Sequence, residues 1–320
     1  MRRSSIAVLL IVAVLVALVL ALPYYRSRTH HSALEVPIAG GDGGGLPLAQ
    51  PSDEHLDVVA LERGRADPAA AGLVAWMVIR HGHLVSEHYA HGLGRDSAVD
   101  FGPAAQALVA LLAGVAVNHR ALTLQQLGAF DANAWKESIE RATQRPYAQL
   151  LSHDIWSRLH AARAWIELPA VGAAVPADCC VHARLQDWLR VGALLSNEGR
   201  FEDTQIVPAS WTALVLQQGL GVELGRNAHG TAPFAADDVV YLRGPGRWRL
   251  WLSPSLHLTV LFGSAAPASA AGDDHSAPPG GAPSDNWDET RLPNLVIEAV
   301  TDRSFSQQGR SLLQQLVPNH

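Results

Sequence analysis

Chemistry at a protein site needs a nucleophile, a base or a ligating side chain, and this sequence is oddly supplied with them. Lys136 is its single lysine, so any mechanism that pairs a serine with a lysine has one candidate base. Asn133 lies three residues before it, and no Ser-x-x-Lys exists anywhere in the chain. Ser152, His153 and Asp154 are consecutive, but adjacent residues do not converge on one helix face and make a poor triad. There is no Gly-x-Ser-x-Gly elbow. His81, His83, His88 and His91 cluster around a glycine turn, with Glu87 nearby. If that stretch is extended, His81 and His83 point the same way. A polar turn on an exposed strand explains them as well as a metal does, and no His-Glu-x-x-His helix accompanies them. Nothing asks for a metal or another cofactor. Cys179 and Cys180 are neighbours, and a bond between neighbours closes a strained ring, so two small buried thiols are expected rather than a disulfide.

The elements that would position these groups follow from patterning. Of 320 residues, 48% are hydrophobic and 17% charged, enough apolar material for a large core. The net charge of −6 gives no footprint for nucleic acid. Behind the charged residues 1–5, an unbroken apolar run opens at Ile6 and closes at Leu22. At 1.5 Å per residue it is about long enough to span a bilayer, and it reads as an uncleaved anchor in preference to a signal peptide. Residues 23–52, with five glycines between Gly40 and Gly45, read as a flexible tether.

A hairpin is expected over residues 73–80 and 84–90, turning at His81-Gly82-His83. A helix rich in alanine and leucine follows from Pro103, a residue that suits a first helical turn. Helical periodicity recurs at 134–143, 147–159 and 183–197. Strands are expected at 238–243, 247–253 and 256–262, the last two joined by Ser253-Pro254-Ser255. A loop rich in Ala, Gly, Pro and Ser covers 265–285 and reads as disordered, and a late helix follows at 291–303. The nine tryptophans suit core packing, with Trp248 and Trp251 on opposite faces of one strand. Two strand groups far apart in sequence, flanking a helical insert, give an α/β chain of the α+β type. It has one mixed antiparallel sheet, a helical subdomain at about 119–235, a domain spanning 53–302, and an extension at 303–320.

Several segments, in their order, carry a family resemblance. LVAWMVIRHGHLVSEHYAHG and FGPAAQALVALLAGVAV resemble the opening of a class C β-lactamase-like serine hydrolase. RATQRPYAQLLSHDIWSRLHA fits the same pattern, and ADCCVHARLQDWLRVGALLSNEGRFEDTQIVPASW is similar to the 6-aminohexanoate-dimer hydrolase branch. LWLSPSLHLTVLFG and WDETRLPNLVIEAV match the family's last strands and helix. The resemblance implies an acylating serine with a lysine one helical turn later. The matching positions here are Pro103, which has no nucleophile, and Gln106, which is neutral.

The family's tyrosine-led second motif falls nearest to Phe130, which lacks a hydroxyl. Its basic third motif falls at Arg243-Gly244-Pro245, where Arg243 retains the charge to meet a carboxylate. The resemblance thus implies a degenerate member of the family. It would be an inner-membrane protein with a periplasmic domain, secreted if the segment is cleaved. Its partner would be a cell-wall fragment, an amide ligand or an envelope protein. Two alternatives stand beside this: an ester or amide hydrolase with displaced catalytic residues, and a structural component of an envelope complex.

Overall fold

Every side chain from Val74 to Arg80 is buried, which a strand with one wet face would not allow. The reason is its place at the heart of a sheet covered on both sides. In the computed structural model, which describes residues 34–264 and 287–302, the strands in chain order are β1 (Glu35–Ile38), β2 (Leu73–Arg80), β3 (His83–Tyr89), β4 (Ala98–Asp100), β5 (Ala164–Glu167), β6 (Val181–Arg184), β7 (Arg200–Phe201), β8 (Thr204–Gln205), β9 (Glu223–Leu224), β10 (Val240–Arg243), β11 (Arg249–Ser253) and β12 (Leu258–Ser264). The helices are α1 (Val58–Arg65), α2 (Ala105–Asn118), α3 (Leu124–Leu127), α4 (Ala132–Thr143), α5 (Tyr147–Leu150), α6 (Leu185–Ser196), α7 (Ala209–Gln218) and α8 (Arg291–Glu298). The described residues form two units, residues 34–35 with 168–174, and residues 36–167 with 175–264 and 287–302. In the first, the Leu168 N–H donates to the Leu34 carbonyl.

The main sheet is antiparallel, in the order β3-β2-β12-β11-β10-β9. On one face Ala75, Met77, Ile79 and Leu250 meet α2, α6 and the helical block. On the other, Trp76, Trp251 and Phe262 meet α8 and its neighbour α1. Trp251 lies on this second face and Trp248 on the first, as their spacing predicts. Helix α2 is apolar all round because it is buried all round, from Ala107 to Ala116. At Gly192 on α6, an added Cβ would come within 2.6 Å of Leu250 and Thr259, so glycine lets that helix lie close on the sheet.

A second sheet, in the order β1-β5-β6-β4, was not legible in the pattern of the sequence. It bears on the expected tether, which over its second half is built into the domain. The Gly41 N–H donates to the Ala161 carbonyl at 2.8 Å, and Leu48 bridges Leu84. Arg184 and Arg190 donate to the carbonyls of Gly43 and Gly44. Their charges are collected by Asp187, which is fully buried. The glycine run serves close backbone approach here, where flexibility was expected. The helix expected over 147–159 breaks into α5, a π-helical turn over Leu151–Trp156 and a 3₁₀ turn over Ser157–Leu159.

The cysteine expectation is also corrected, because Cys179 and Cys180 form a disulfide. Cys180 takes a left-handed φ of 68° at the turn into β6, which lets neighbouring side chains meet. No helix among the described residues is long and apolar enough to cross a membrane. The anchor expected at residues 6–22, the loop at 265–285 and the extension at 303–320 lie wholly or almost wholly outside the described residues.

Helix α8 carries a pH dependence. Asp288 accepts hydrogen bonds from Thr290 and Arg291 at the helix start and from Thr231 across the chain. Burial pushes its carboxyl up, but the bonds from Thr231 and Thr290 outweigh that and bring it down from 3.8 to about 2. A depressed carboxyl stabilises the fold above its unfolded value, and that stability is lost as pH falls through the folded value. Asp288→Asn is therefore expected to flatten the stability curve between 3.8 and about 2. Urea denaturation across the acid range measures it.

Candidate functional site

The turn that opens α2 is built by Asp100, Phe101 and Gly102. The Asp100 carboxylate accepts from the Gly102 N–H at 2.8 Å, and Gly102 takes a φ of 52°, which suits glycine. Gly102–Ala104 then forms a 3₁₀ turn leading into the helix. Pro103 is exposed at its crest, and Gln106 lies half-buried on the next turn. Beneath them Phe101 is fully buried, its ring 5.3 Å from that of Trp188 and 6.0 Å from that of Trp248.

The end of β10 meets this turn. A Cβ at Gly102 would stand 3.3 Å from Cδ of Pro245, and one at Gly244 would stand 3.2 Å from the Phe101 ring. The fold thus brings together Pro103, Gln106 and the Arg243-Gly244-Pro245 segment. Arg243 does not reach out as a free cation. Its Nε donates to Glu223 at 3.2 Å, and Nη2 donates to the Tyr241 hydroxyl at 3.3 Å. Burial opposes its charge, but Tyr241, Glu223 and Glu289 around it raise its pKa overall. The same burial, with Glu289 nearby, holds the Tyr241 phenol up at about 12.

Glu223 belongs to β9, which the sequence did not reveal. β9 pairs with the outer edge of β10 through Val240–Leu224 and Tyr241–Glu223. Just before it, Gly221 lies on the first turn of α2, where an added Cβ would come within 2.6 Å of the Gln106 carbonyl. The segment from Gly221 to Leu224 therefore touches both the helix start and the strand edge. A buried ion pair sets the neighbouring hairpin. Arg249 donates to Glu289 at 2.7–2.8 Å and to the carbonyls of Gly244, Gly246 and Trp248 at 2.8–3.3 Å.

Phe130 stands apart from this group. Its ring packs edge-on against Trp135 at 4.9 Å, and Trp135 faces Trp211. Trp211 donates to the Ala110 carbonyl, one turn past Gln106 along α2. Ser152 is engaged with the backbone. Its hydroxyl donates to Ala148 and accepts from the Ala39 N–H, while His153 pairs with Asp154 at the surface.

The histidine cluster is organised by a residue that sequence spacing did not indicate. Glu54, on the 3₁₀ turn Pro51–Glu54, stands 2.8 Å from Nδ1 of both His81 and His83. Glu87 is occupied elsewhere, by Arg95 and Tyr89. His88 and His91 are exposed. Among the described residues no group of three or more His, Cys, Asp or Glu could hold a metal ion.

No family model matches the sequence, and no curated protein does. Solved structures do match. A Bacillus anthracis protein assigned as a 6-aminohexanoate-dimer hydrolase superposes with a TM-score of 0.58 at 15% identity, covering 83% of this chain and 90% of that one. A penicillin-binding protein homologue from Caulobacter crescentus gives 0.57 at 12% identity, covering 80% and 99%. A β-lactamase from Mycobacterium bovis gives 0.52 at 15% identity, covering 76% and 99%. The fold is that of the β-lactamase and penicillin-binding type of serine hydrolase. Within that class, the 6-aminohexanoate-dimer hydrolase likeness expected from residues 177–211 is met at the level of fold.

Proposed function

We propose that this chain is a non-acylating member of the β-lactamase-like fold, a pseudoenzyme that has turned the scaffold to binding at the cell envelope. Residues 6–22 would anchor it in the inner membrane, with the domain on the periplasmic side. Its partner would be a cell-wall fragment, an amide ligand or an envelope protein. One observation carries the reading: the crest where the fold would present a nucleophilic hydroxyl holds Pro103, with Gln106 behind it and the strand edge beside it covered by β9. Proline offers no oxygen to attack a carbonyl, and a neutral amide cannot take the proton. The bond between Cys179 and Cys180 agrees with an oxidising compartment.

Restoring the missing pair tests this reading. The double variant Pro103→Ser, Gln106→Lys is expected to hydrolyse nitrocefin and an activated ester no faster than the unaltered chain, because Phe130 offers no hydroxyl and Arg243 is held by Glu223 and Tyr241. Turnover by the unaltered chain above a protein-free control would overturn the reading, and turnover gained by the double variant alone would show that the rest of the site is intact.

A further inference from the structure

At the other end of the main sheet from Arg243 lies a cavity of about 450 Å³. Its walls come from the last turn of α6, the β7–β8 hairpin, the His81-Gly82-His83 turn and His257. These parts are held together. The His81 N–H donates to the His257 carbonyl at 3.0 Å, and the two rings lie 5.5 Å apart.

The lining is rich in acceptors. A carboxylate only accepts, so the bond from His81 Nδ1 to Glu54 places a proton on Nδ1 and turns Nε2 away from Glu54. His83 is held 2.8 Å from the other Glu54 oxygen. Burial, with His81 and Arg80 beside it, pushes the His257 pKa down and favours its neutral form. The C-terminus of α6 adds partial negative charge. Glu202 and Asp203, both exposed, add two carboxylates to the lining, Glu202 standing also 3.9 Å from Nε2 of His160. The one full positive charge in the lining is Arg200, whose guanidinium donates back to the Asp203 carbonyl at 3.2 Å. Phe201, Ala193 and Pro47 supply apolar surface between these groups.

We infer that this cavity binds a small organic cation, a protonated amine with an aliphatic body, between the carboxylates of Glu202 and Asp203 and the imidazoles of His81 and His257. This goes beyond the envelope-binding reading and does not depend on the site at Pro103 being inert. Acidification weakens such binding, because the His257 ring, once protonated, repels a cation. The groups around these imidazoles are Glu54, His83, Arg80, Asp302, Glu198, Arg200, Asp203 and Glu202 with its partner His160.

The experiment is a thermal-shift and calorimetric titration of the full chain with cadaverine, its matching diol and glutarate. Cadaverine is expected to raise the melting temperature with dose, since a ligand selective for the folded state stabilises it. The diol and glutarate are expected to leave it unchanged. The paired change Glu202→Gln, Asp203→Asn lies on exposed residues and is expected to preserve the unliganded melting temperature while weakening cadaverine about fivefold. Affinity is also expected to fall from about pH 8 to about pH 5. An equal response to the diol, a response to glutarate alone, or cadaverine binding unaltered in the paired variant would overturn the inference. So would a shift produced by zinc chloride alone and abolished by His81→Ala, which would make the cavity a metal site.

Discussion

Glu289→Ala is expected to destabilise the fold by about 3–5 kcal/mol, the usual cost of leaving one member of a buried ion pair unpartnered. Arg249 is 1% exposed and Glu289 2% exposed, so water cannot replace the lost carboxylate. Burial already pushes the Arg249 pKa down, and Glu289 is the first group opposing that. The loss also reaches the candidate site. Arg249 gathers the carbonyls of Gly244, Gly246 and Trp248, so its displacement loosens the hairpin that seats Trp248 over Gly263 and beside Phe101. Urea denaturation should show the lost stability, and near-ultraviolet circular dichroism should show altered tryptophan packing below the transition. Glu289→Gln keeps shape and one acceptor, and is expected to cost less.

Asp187→Ala is the second large effect, again about 3–5 kcal/mol. Asp187 is fully buried and collects Arg184, Arg190 and the Ala162 N–H. Without it the buried Arg190 loses its paired carboxylate, and Arg184 keeps only the exposed Asp96. Those same arginines hold the Gly43 and Gly44 carbonyls, so the chain before residue 46 should detach first. Limited proteolysis should cut the Gly40–Gly45 stretch in the variant well before the unaltered protein.

The parts of this molecule that the sequence reveals share a physical cause. β2, β3, α2 and the strands β10 to β12 are long enough to show periodicity, and their bounds fall within a few residues of the pattern. Pro103 marks the start of α2 because its missing N–H costs nothing there. What stayed hidden is short or held by distant partners. β9 has two residues and β4 has three, too few for any period to appear. Arg243 reads as an available cation until its distant partner Glu223 is known. Glu54 lies 27 residues from His81, and only folding brings them together. The glycines of residues 40–45 suggest freedom by composition, while the buried arginines that fix their carbonyls lie more than a hundred residues away.

The disulfide was missed for a related reason. Strain in a ring of neighbouring cysteines is a sound objection in extended backbone, but the positive φ at Cys180 removes that premise. Phe130 was matched to a motif by its place in the order of segments, and its packing against Trp135 gives it a role in the helical core.

The central claim is that no serine of this chain forms an acyl or phosphonyl adduct. Intact-mass analysis of the purified full chain, after separate incubation with a fluorophosphonate and a labelled penicillin, tests it most directly. The expected result is one unshifted mass in each case. Stoichiometric addition of one probe, mapped to any single serine, would contradict the account and make the chain a hydrolase.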